Sequence, residues 1–181
     1  SEICEICCLN NNLDVKWVPF LNGINLFMSG AIDATVVMKY NEYYSLVEAM
    51  GSIDPENVLW FADCGYDIPE DGLYVTEEYL AGHRDLVERF CRASMKGWNY
   101  CVEHKEECVD IVMDYMEKVG VKTNRYHQTV MLDGMIELLR NRETGRIDYA
   151  PIPQDKYDKL VRDLLKAHYI ETPVSYSEFS K

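Results

Sequence analysis

Apolar and polar positions change period along this chain, and the change divides it. Residues 13–18 (Leu-Asp-Val-Lys-Trp-Val) alternate apolar and polar, which predicts a strand. Pro19 and Gly30 bracket a short helix carrying Leu21, Ile24, Leu26, Phe27 and Met28. Residues 31–38 predict a buried strand, 41–50 a helix stopped by Gly51, and 57–62 another strand. Before them, Ile3, Ile6, Cys8 and Leu9 read as the end of a helix. This βαβαβ rhythm predicts a parallel sheet with helices on its faces. Residues 63–71 form a turn-rich crossing, and Gly72 to Thr76 predicts a strand that leads into a helix through Thr76, Glu77 and Glu78.

Beyond that point the pattern is helical. Val87, Phe90, Cys91, Ser94, Trp98, Cys101 and Val102 follow the three-and-four spacing of one helix face. Cys108, Ile111, Val112, Tyr115, Met116 and Val119 follow it again, and Gly120 ends that helix. A break between the two is expected at 103–106. Val130, Met131, Gly134, Leu138 and Leu139 form a third stripe; Tyr157, Leu160, Val161, Leu164, Leu165 and His168 form the last. Arg142 to Pro153 is the loop between them, with Ile147 and Tyr149 as anchors. The tail from Glu171 is polar and expected to be mobile. The composition therefore shifts near residues 63–76, from α/β to helices.

Length and charge narrow the function. At 181 residues the chain can bury roughly two-thirds of its unfolded surface. No run reaches the ~18–20 apolar residues that cross a bilayer. Thirty-one acids against eighteen bases give a net charge of −13, so nucleic acid and anionic lipid are not expected partners. The chain opens on Ser-Glu-Ile rather than Met, and no leader is expected within it.

The sulfur and imidazole chemistry is sparse. Seven cysteines cannot form a closed disulfide set. Cys4-x-x-Cys7 has no second CxxC to complete a zinc ribbon, and the thiols read as buried and inert. His104 stands three after Cys101 and four before Cys108, but the expected break spoils that face. His127 and His168 read as partly buried structural histidines, and His83 as a turn residue. Trp17 and Trp60 read as core. No cofactor motif or metal set is expected.

Four segments together resemble a known family. Phe27-Met-Ser-Gly-Ala-Ile-Asp-Ala34, Asn41-Glu42, Gly72-Leu-Tyr-Val-Thr-Glu-Glu-Tyr-Leu80 and Val87 to Gly97 are similar to the substrate-binding proteins of ABC importers for sulfonates, nitrate and thiamine-pyrimidine precursors. The resemblance implies an α/β, type II periplasmic-binding-protein fold: one α/β lobe plus the helical C-terminal part of the other. On that template residues 1–65 belong to the second lobe, 66–76 to the return hinge and 77–181 to the first lobe. The chain would then be the C-terminal three-fifths of such a protein. The resemblance further implies a small-molecule ligand, a membrane permease as partner, and an extracytoplasmic setting, periplasmic or lipid-anchored.

In open α/β sheets, ligands sit beyond the C-terminal ends of strands. That criterion selects Asn22, then Tyr40, Asn41, Glu42 and Tyr43, then Asp63 and Tyr66 as ligand-binding candidates. Tyrosines can stack on a flat ring, and Glu42 can accept from an exocyclic amine and a ring N–H. In relatives that bind thiamine-type pyrimidines, a Glu in this loop resembles such a contact. The competing reading of 40–44 is a plain helix start, with Asn41 as cap and Glu42 on the dipole. The expected function is solute binding without catalysis. A pyrimidine-synthesising enzyme of the same fold is the alternative, weakened because Asp63-Cys64-Gly65-Tyr66 holds one cysteine where those relatives carry a cluster. A ligand-free interaction domain is the third.

Overall fold

The computed structural model describes residues 2–19, 23–68, 72–141, 143–148 and 151–180. Among them the regular structure is helical. Helices α1 (Glu2–Asn10), α2 (Asn25–Met28) and α3 (Glu42–Met50) occupy the first third, followed by a 3-10 turn at Pro55–Asn57. Helices α4 (Glu77–Glu103), α5 (Lys105–Val119), α6 (Arg125–Leu139), α7 (Gln154–Lys166) and α8 (Tyr176–Phe179) make up the rest.

Local chemistry sets most helix ends. The Thr76 hydroxyl accepts from the Tyr79 N–H at 3.2 Å and opens α4. The Asn124 side chain accepts from the His127 N–H at 2.8 Å and opens α6. Gly120 takes a left-handed φ of 70° and closes α5, as its missing Cβ allows. His104, at φ −129° and ψ 48°, is the expected break between α4 and α5. His83 sits in a kink inside α4 rather than in a turn, with its ring stacked on Tyr79 at 4.4 Å.

The expected α/β fold is overturned. Among the described residues there is no strand of the periplasmic-binding-protein lobe; the β-type pairing is an isolated antiparallel bridge between Arg140 and Ile147. Residues 13–18, 34–38, 58–60 and 72–76 run as coil without a ladder. The physical reason is pairing. A strand is stabilised by a neighbour about 4.8 Å away, and a period-two pattern does not supply one. Without a sheet, the side chains meant to face it stay wet. Trp17, expected in the core, is 49% exposed. Val15, Val36, Leu59 and Leu73 are exposed too, as are Phe90, Ile111 and Tyr115 on the long helices.

The core is accordingly divided into small centres. In one, Ile6 and Cys7 of α1 pack with Tyr66, joined by Phe61, by Leu164 of α7 and by Ala167 just past its end. In another, α6 packs on α5 and α3, burying Val109, Gly134, Ile136 and Leu46. Ile147 is fully buried and pinned by Asn99 of α4, whose amide donates to the Ile147 carbonyl at 2.6 Å and accepts its N–H at 3.1 Å. That anchor was expected; Tyr149 lies outside the described residues. The tail docks rather than hanging loose. Tyr157 stacks on Phe179 at 4.7 Å, and the Tyr176 hydroxyl donates to the Ile152 carbonyl at 2.8 Å. Among the described residues no helix is long and apolar enough to cross a membrane.

Candidate functional site

The turn that opens α3 gathers four of the expected ligand-binding residues. Tyr40, Asn41, Glu42 and Tyr43 are consecutive and all half-buried. Glu42 folds back on its own turn. One carboxylate oxygen accepts the Met38 N–H at 3.0 Å, and the other accepts the Asn41 amide at 3.2 Å. Asn41 holds the N-cap position of α3, as the plain helix-start reading expects, but its side chain makes no capping bond to the α3 backbone. Instead its oxygen meets Nε2 of His127 at 3.0 Å. With the amide N–H committed to Glu42, that oxygen must accept, so the His127 proton sits on Nε2.

α6 presses against this turn from the other side. A Cβ on Gly134 would lie 2.9 Å from Cβ and 3.2 Å from Cα of Tyr40, so only glycine admits the approach. Tyr43 meets Trp60 edge-on at 5.2 Å and Tyr44 at 5.9 Å. Trp60, expected in the core, is half-buried against this group. Lys39 lies 5.9 Å above the Trp60 ring and pairs with Glu137 at 3.3 Å. The result is a carboxylate, an amide and two aromatic rings on one turn. An ionised carboxylate has about four lone-pair sites, and the two internal bonds to Glu42 leave the others for a ligand.

The remaining candidates lie elsewhere. Tyr66 is buried in the α1 centre; its hydroxyl accepts the Asn10 amide at 3.0 Å, and Lys159 sits 4.4 Å above its ring. Asp63 is exposed on the turn that precedes it. Asn22 lies outside the described residues. Tyr66 lines a groove of about 690 Å³ with Cys7, Asn10, Asn11, Leu13, Leu59 and Cys64. Burial, and then the neighbouring thiols of Cys64, Cys8 and Cys4, push the Cys7 thiol above its ordinary range. None of the seven cysteines is in a disulfide.

A family model described as NMT1/THI5 like matches residues 10–108, just over half of the chain. The chain belongs to that family. Its members are the binding proteins for sulfonates, nitrate and thiamine precursors, so the coarse function is that of a binding protein for small molecules. The matched span contains the whole α3 turn and Trp60. No curated protein and no solved structure matches the chain.

Two site residues were not found from sequence. The sequence pattern reads His127 as structural and Gly134 as part of an apolar stripe. His127 reaches Asn41 from 86 residues away. No local pattern carries that pairing. A glycine inside an otherwise apolar helical stripe was the one usable signal for Gly134, since such a glycine implies a close neighbour.

Proposed function

We propose that the chain is the solute-binding component of an ABC importer and holds a small nitrogen-rich ligand, of thiamine-pyrimidine type, at the turn that opens α3. It acts outside the cytoplasm, periplasmic or lipid-anchored, and passes the ligand to a membrane permease without altering it. The observation that carries this reading is the position of Glu42. It lies within the family match, its carboxylate is oriented by Met38 and Asn41, and Tyr43 and Trp60 stand beside it. An aminopyrimidine offers N–H donors to such a carboxylate and a flat face to the rings. A sulfonate or nitrate would need free cationic or N–H donors, and Lys39 is already engaged by Glu137 and Trp60.

Thermal unfolding of the purified protein tests the ligand class. An aminopyrimidine at a hundred times its Kd should stabilise the fold by about 2.7 kcal/mol. That is several degrees in Tm for a chain of this size, at ~2–4 °C per kcal/mol. Mass spectrometry of the same mixture should return the ligand unchanged. Stabilisation by an alkyl sulfonate or nitrate alone would overturn the ligand class. Conversion of the pyrimidine would make the protein an enzyme.

A further inference from the structure

The groove beside Tyr66 shares no residue with the α3 turn. Among the described residues no charged side chain lines it; its hydrogen-bonding groups come from Tyr66, Asn10 and Asn11, and Leu13 and Leu59 supply apolar wall. Tyr66 is 8% exposed, so each end of its hydroxyl needs a partner. Lys166 of α7 donates to Oδ1 of Asn10, which turns the amide NH2 toward Tyr66. The Tyr66 oxygen accepts that N–H at 3.0 Å, and its own O–H proton must point elsewhere. Among the described residues nothing accepts that proton. Asn11 is the complement. Its NH2 donates to the Cys7 carbonyl at 2.8 Å, and among the described residues nothing donates to its Oδ1. Backbone bonds hold the walls. Asn12 takes a left-handed φ of 53° past the end of α1, and the Leu13 N–H donates to the Cys8 carbonyl at 2.9 Å. The turn after Leu59 closes through the Tyr66 N–H to the Phe61 carbonyl at 2.8 Å. Leu13 and Leu59 are 57% and 63% exposed, so their apolar surface is uncovered.

We propose that this groove is a second binding site, for a small neutral amide with a hydrocarbon body. The ligand carbonyl accepts the Tyr66 O–H, the ligand N–H donates to Oδ1 of Asn11, and the hydrocarbon covers Leu13 and Leu59. The observation that points to a ligand is the hydroxyl proton. It sits on a side chain more than nine-tenths buried, is oriented by Asn10, and has no acceptor among the described residues. Neutrality follows from the lining: Lys166 is spent on Asn10, and a charged ligand would lose its hydration without gaining a counter-charge. A volume of about 690 Å³ suits a small molecule. The site stands or falls apart from the reading of Glu42.

Titration calorimetry of the whole protein with ε-caprolactam, a neutral cyclic amide, tests the proposal. Saturable binding is expected. Tyr66→Phe should weaken it about threefold to tenfold, the worth of one hydrogen bond. Leu59→Ala should weaken it several-fold and leave the Tm in place, because the side chain is exposed. N-methylcaprolactam should bind less tightly, since its nitrogen has nothing to donate to Asn11. Cys64 reports occupancy directly: its thiol is exposed and lines the groove, so the lactam should slow its modification by methyl methanethiosulfonate and leave that of Cys91 unchanged. Absence of binding, or Cys64 labelling that the lactam does not slow, would overturn the proposal. So would a lactam affinity lost in Glu42→Ala, which would place the lactam at the α3 turn instead. Leu59→Ala and the Cys64 labelling decide even if Tyr66→Phe does not fold.

Discussion

Asn41 uses both ends of its amide, donating to Glu42 and accepting from His127. The fixed geometry of the α3 turn rests on that division and on the absence of a side chain at Gly134. Gly134→Ala tests the second. Alanine gains about 1 kcal/mol of helix propensity over glycine. Overpacking a tight contact costs about 1–3 kcal/mol, and here the obstacle is Cβ and backbone, which have no rotamer to swing away. Because that obstacle cannot move, the upper end of the cost applies, and the expected net loss is about 2 kcal/mol, read as a Tm lower by several degrees at ~2–4 °C per kcal/mol. Ligand affinity should weaken as well, because Tyr40 and the turn must shift. An unchanged Tm would show that the approach is loose. At this scale sequence reasoning reached Tyr40, Asn41, Glu42 and Tyr43 but neither of their partners on α6. The four are contiguous and chemically distinctive; the partners lie far along the chain and look like ordinary helix residues.

Helices were legible and strands were not, for one physical reason. Helix bonds are local, so Thr76, Gly120 and the break at His104 can be read from neighbouring residues. Ladder bonds are not local, so 13–18 and 31–38 show a strand pattern and lack a sheet. The α4–α5 corner also makes a prediction about pH. Burial, then the hydrogen bond to Cys101, pushes the Cys108 thiol from 9.0 to about 11. A raised folded pKa means that the folded chain holds the proton after the unfolded chain has lost it. The stabilisation is therefore complete below pH 9 and is lost as pH rises to about 11. Tyr169, pushed up to about 12 by its bond to Glu5, acts in the same direction at higher pH. Denaturant midpoints across this window should fall, and the fall between 9 and 11 should be smaller in Cys108→Ser. An equal fall in that variant would place the loss elsewhere.

At the scale of the whole molecule, the family and the architecture separate. The NMT1/THI5-like match was legible in four short segments, because motif order survives in sequence whether or not a sheet forms. The α/β architecture was not, because it depends on strand partners that the described residues do not provide. What results is a helical molecule with small core centres and a net charge of −13. That charge disfavours anions overall and leaves the α3 turn as the place where a carboxylate and aromatic rings converge. The central claim is that Glu42 holds an aminopyrimidine there. Titration calorimetry of wild type and Glu42→Ala with the same aminopyrimidine tests it most directly. The account predicts an affinity more than tenfold weaker in the variant, about 1.4 kcal/mol or more. Equal affinity in the two proteins would contradict it.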